Sequence, residues 1–89
     1  MEKSLLNNKD LFNLLLSKID NNKISHQNYN EKAFGSWLIE VKTKQLVYDG
    51  KEDWLILQSG DNWNDEIILK KDDLNHENLD GILKKLTSP

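Results

Sequence analysis

Two histidines, His26 and His76, are the side chains here whose ordinary titration falls near neutral pH, so general-base or metal chemistry would start from them. His76 stands among Asp72, Asp73, Glu77 and Asp80, one helical turn from Asp80, a spacing that would set an imidazole and a carboxylate on one helix face. A metal site needs three or four convergent ligands. His76 therefore reads as an exposed first-turn histidine beside acids favoured by the helix dipole.

Two acidic loops invite a calcium reading and fail it by position. Asp49-Gly50-Lys51-Glu52-Asp53 puts lysine third, and Asp61-Asn62-Trp63-Asn64-Asp65-Glu66 puts tryptophan third and glutamate where the calcium loop needs glycine. Asp53, Glu66 and Lys70 resemble a nuclease set until the lysine is counted: it follows the acid by four residues, not two. The chain has no cysteine, which removes thiol nucleophiles, cysteine-ligated zinc and disulfides. It also lacks a glycine-rich phosphate loop, a G-x-S-x-G elbow and a Ser/His/Asp constellation. The expectation is a chain that is not an enzyme, with no catalytic residue, no metal and no cofactor.

The elements that would carry these residues are a helix, a run of strands and a second helix. Asn7 caps the first helix, Asp10 lies near its positive end, Leu6 and Leu11 have staple spacing, and Leu11, Leu15 and Ile19 form a stripe widened by Phe12 and Leu16. That helix should end near Asp20. Residues 20–33 show no period and read as a connector. Residues 35–42 alternate, with Trp37, Ile39 and Val41 on one face, and residues 45–49 form a second strand. Trp54-Leu55-Ile56-Leu57 suggests a central strand covered on both sides, and a fourth strand spans about 65–70. Asn75 caps the last helix, in which Leu79, Ile82, Leu83 and Leu86 recur at helical intervals and Gly81 suggests close packing on the sheet. The predicted fold is α+β: an N-terminal helix, a four-stranded antiparallel meander, and a C-terminal helix packed on the sheet, as a single domain over 1–89.

The overall formal charge of −3 conceals a contrast along the chain. Residues 1–48 carry +2, residues 49–80 carry −7 and residues 81–89 carry +2. Acids in the hairpin loops and at the start of the last helix would gather at one edge or end of a meander. Such a surface speeds and orients encounter with a basic partner. The candidate partner-binding residues are Asp49, Glu52, Asp53, Asp61, Trp63, Asp65, Glu66, Asp72, Asp73 and Glu77, with Trp63 as the aromatic anchor. Trp37 and Trp54 lie in strands and are assigned to the core. Every positive side chain is lysine, and the absence of arginine counts against sequence-specific nucleic-acid reading. No apolar run approaches the ~20 residues of a membrane-spanning helix. The N-terminus, interrupted by Asn7, Asn8, Lys9, Asp10 and Asn13, lacks the core of a secretory signal, so a cytoplasmic location is expected.

In size, in lysine- and asparagine-rich composition and in the stretch FGSWLIEVKTKQLVYDGKEDWLILQ, the chain resembles the small immunity proteins of bacterial polymorphic and contact-dependent toxin systems. That resemblance implies a non-catalytic inhibitor that neutralises a basic toxin, for example a nuclease, by direct binding. It carries over no individual residue. Two other readings share the acidic surface or the strand pattern. One is a phage or mobile-element DNA mimic that blocks a host defence enzyme. The other is a self-associating accessory module whose second sheet face, with Leu38, Val47, Leu55 and Leu57, meets its own copy as a weak homodimer.

Overall fold

The computed structural model describes residues 7–88. Helix α1 spans Asn8–Lys18, strands β1 to β5 span His26–Asn30, Ser36–Val41, Lys44–Asp49, Trp54–Ser59 and Asn64–Lys70, and helix α2 spans His76–Thr87. The strands form one antiparallel sheet in the order of the sequence. The α+β layout holds, but the sheet has five strands rather than four.

The additional strand, β1, lies inside the expected connector. Its sequence, HQNYN, carries one apolar residue, so period-two alternation leaves no visible trace. Its register places Tyr29 opposite Trp37 and His26 opposite Glu40. As an edge strand it buries only one face of one side chain, and polar residues serve at its other positions.

Both helices start as the sequence indicates. The Asn7 side chain accepts a hydrogen bond from the Asp10 amide at 2.8 Å, and that of Asn75 accepts from the Asn78 amide at 2.8 Å. These side chains satisfy amides that have no partner inside the helix. The Leu6–Leu11 staple falls outside the described residues. Helix α1 stops at Lys18, slightly before Asp20, because Ile19 turns to extended backbone and Asp20 caps a separate 3-10 turn.

Both helices lie on the same face of the sheet. Leu11, Phe12, Leu15 and Ile19 from α1 and Leu79, Ile82, Leu83 and Leu86 from α2 form one buried cluster with Trp37, Ile39, Val41, Leu46, Tyr48, Leu55 and Leu57. Alternation directs these strand residues to the helices, and burying each large one contributes about 1.5–3 kcal/mol. The opposite face, with Leu38, Val47, Trp54 and Ile56, is covered by no helix or strand of the described residues. This corrects two expectations. Leu55 and Leu57 face the helices, and β4 is covered on one side, because its four apolar residues divide between the two faces. Trp54 therefore belongs to the open face, against its assignment to the core, whereas Trp37 is in the core as expected.

Gly81 also departs from the expectation of close packing on the sheet. It is exposed, and a methyl group there would meet nothing within 4 Å. Gly50 is the reverse case, since a Cβ there would overlap the Phe34 carbonyl of the neighbouring loop. Urea denaturation of two variants separates these glycines. Gly81→Ala should stabilise the protein by about 0.5–1 kcal/mol through helix propensity, whereas Gly50→Ala should cost about 1–3 kcal/mol because backbone must move.

Candidate functional site

The register decides which acids come together, and it separates the ten candidates. The β3–β4 loop and the segment leaving β5 lie at the same end of the sheet, tied by the Lys71 amide donating to the Asp53 carbonyl at 2.9 Å. This end holds Asp49, Glu52, Asp53, Asp72 and Asp73, with Glu77 in the first turn of α2. Asp61, Trp63, Asp65 and Glu66 lie at the other end, beside the β2–β3 turn, where the Gly60 amide donates to the Thr43 carbonyl at 3.2 Å. Strands β3, β4 and β5 are six or seven residues long, which puts roughly 20 Å between the groups. They form two surfaces, not one.

At the first end, two carboxylates also hold structure together, Asp49 through backbone amides and Asp53 through a side chain. Asp49 Oδ1 accepts from the Lys51 and Glu52 amides at 2.9 and 3.2 Å, which closes the turn after β3. Asp53 adopts a left-handed conformation with φ 60° and accepts from the Tyr48 hydroxyl at 3.0 Å. Tyr48 is fully buried. Burial, the hydrogen bond to Asp53 and the charges of Asp53 and Asp49 together push its phenol well above the usual tyrosine range. Glu52, Asp72 and Asp73 remain exposed.

The same end displays a residue that the sequence does not single out. Phe34 is 67% exposed, in contrast to the buried Phe12. Its backbone is left-handed at φ 61°, a conformation costing roughly 1–2 kcal/mol for a residue with a side chain. Three contacts hold it there. Asn8 Nδ2 donates to the Phe34 carbonyl at 3.1 Å, Gly50 packs against that carbonyl, and the Gly50 amide donates to Ser36 Oγ at 2.9 Å. Phe34 borders an open depression of about 510 Å³ whose walls include Tyr29, Glu31, Asp53 and Lys71. The sequence offered one clue, the Phe-Gly pair just before an alternating strand, since glycine there often marks a turn.

At the far end, Trp63 is half-buried and also left-handed, with φ 50°. A bulge in β5 governs its neighbours: Leu57 pairs with Ile67 but Gln58 pairs with Asp65, so Glu66 is the additional residue. Asp65 consequently turns to the open face, where it accepts from Gln58 Nε2 at 2.8 Å, and Glu66 accepts from Ser59 Oγ at 2.7 Å. Lys44 Nζ donates to the Lys85 carbonyl at 2.7 Å and so satisfies the last turn of α2.

Among the described residues no group of three or more His, Cys, Asp or Glu converges as a metal site, and no helix is long and apolar enough to cross a membrane. His76 is exposed in the first turn of α2.

The raised phenol pKa of Tyr48 has a measurable sign. The unfolded chain ionises near 10 while the folded protein holds the proton, so this contribution is intact below about pH 10 and is lost as pH rises further. Tyr48→Phe should therefore gain stability relative to the parent between about pH 9 and pH 11 in paired denaturation curves. A constant difference across that interval would refute the assignment.

Compared with protein-family models, curated proteins and solved structures, the chain matches none.

Proposed function

We propose that this protein is a non-catalytic binding protein that meets a basic protein partner through the end of the sheet bearing Phe34 and the exposed carboxylates of Glu52, Asp72 and Asp73, in the manner of an immunity protein that neutralises a basic toxin domain such as a nuclease. The observation that carries the reading is the exposed Phe34 ring, held in a costly conformation beside an open depression that it shares with Glu31, Asp53 and Lys71, at the end of the sheet that also carries Glu52, Asp72 and Asp73. An aromatic side chain is an efficient contact, because it offers a large area with few rotatable bonds to fix on binding. Carboxylates around it favour a partner whose own surface is cationic, as a phosphate-binding toxin's must be. The aromatic anchor is thus Phe34, at the more acidic of the two ends, in place of Trp63.

Titration calorimetry against purified nuclease domains of bacterial toxin systems tests the reading, beginning with the product of the reading frame next to its gene. Binding should weaken with salt. Phe34→Ala, and the triple reversal of Glu52, Asp72 and Asp73 to lysine, should each weaken it by about tenfold or more, equivalent to at least ~1.4 kcal/mol. Reversal of Asp61, Asp65 and Glu66 at the far end should have a much smaller effect. Equal affinities for the parent and both near-end variants would exclude this surface.

A further inference from the structure

The open face of the sheet has a definite pattern, set by the register. Leu38, Val47, Ile56 and Ile68 are directly opposed on β2, β3, β4 and β5 and form an apolar row perpendicular to the strands. Ile68 is 48% exposed, and it and Phe34 are the exposed large hydrophobic residues among those described. The row on one side of it is polar: Glu40, Gln45, Gln58 and Asp65, with Gln45 donating to Gln58 at 2.6 Å and Gln58 to Asp65 at 2.8 Å. On the other side, Asp49, Trp54 and Lys70 are opposed. One end of β5 on this face is therefore negative and the other positive.

We infer that this face pairs with the same face of a second copy, about a two-fold axis running along the apolar row. Such an axis lays the row on itself and turns each strand end over, so Asp65 of one copy meets Lys70 of the other, twice by symmetry. Gln58 then faces Trp54, and Gln45 faces Asp49, with no like charges opposed. The other face-to-face arrangement, with the axis along the strands, sets Asp49 near its own copy and Ile68 against the polar Asn28 of β1. Charge and polarity thus select the first. Five strands about 4.8 Å apart and three residue rows about 7 Å apart define a face on the order of 500 Å² per copy. A pair covers roughly 1,000 Å², the lower bound for a specific interface. The pair accordingly forms and dissociates with concentration, and it leaves Phe34 and the exposed near-end carboxylates free, so it stands apart from the partner reading above.

Sedimentation equilibrium on the full chain tests this between about 10 µM and 1 mM, where mass action should reveal a weak pair. The weight-average mass should rise from 10.4 kDa toward twice that value. Ile68→Lys should hold it at the monomer value, with circular dichroism confirming an unchanged fold. Lys70→Asp sets two carboxylates against each other across the axis and should weaken association about tenfold, and adding Asp65→Lys to that variant should restore it. A parent that stays monomeric to 1 mM overturns the inference and leaves the face to a different protein. So does association that is unchanged in Ile68→Lys, or a double charge swap that fails to recover what Lys70→Asp lost.

Discussion

The stack of Trp37 on Tyr48 is the contact from which most of the architecture extends. The two rings face each other across β2 and β3 at 5.6 Å and 13°. Phe12 of α1 leans on Trp37 at 5.4 Å and on Tyr29 of β1 at 5.7 Å. One aromatic cluster therefore ties the first helix, the edge strand and the sheet centre. Aromatic pairs in these offset and tilted geometries contribute about 0.5–1.5 kcal/mol beyond the area they bury. The Trp37 indole nitrogen is buried without a hydrogen-bond partner. Packing here prevails over polar satisfaction, at a desolvation cost of about 1–3 kcal/mol.

Tyr48 extends that cluster toward the surface. Its hydroxyl reaches Asp53, and the Asp53 carbonyl accepts from the amide that begins the descent into α2. The fully buried ring and the solvent-facing turn are thus parts of one connected unit. Gly50 and Asn8 complete the frame by supporting the Phe34 carbonyl from opposite elements. Strained backbone persists where surrounding contacts over-determine it, and the Asn8 and Gly50 contacts at the Phe34 carbonyl meet that condition.

Much of the fold was legible because its signals are local. Asn7 and Asn75 cap their helices, and the alternation around Trp37, Ile39 and Val41 identifies a buried face directly. Strand β1 was hidden because an edge strand with a polar exterior has no periodic apolar content, and its only inward hydrophobe is Tyr29. The division of the acids was hidden for another reason. Loop membership can be read from composition, but which loops share an end follows from the number and order of antiparallel strands, and the face that Asp65 takes follows from the bulge at Glu66. Phe34 was missed because a large aromatic is assigned to the core by default. Its exposure depends on a left-handed backbone that no residue type there announces.

Every strand pairs with the next one in sequence, and the connections run from two residues between β2 and β3 to five between β1 and β2. Closing such short loops sacrifices little chain entropy, so the sheet can assemble hairpin by hairpin without a distant partner having to arrive first. The helices are different, because each must find a sheet face that already exists. This topology allows a central hairpin to form early and gives the two helices a face on which to dock. A protein built this way should reach its native state rapidly for one so rich in strands.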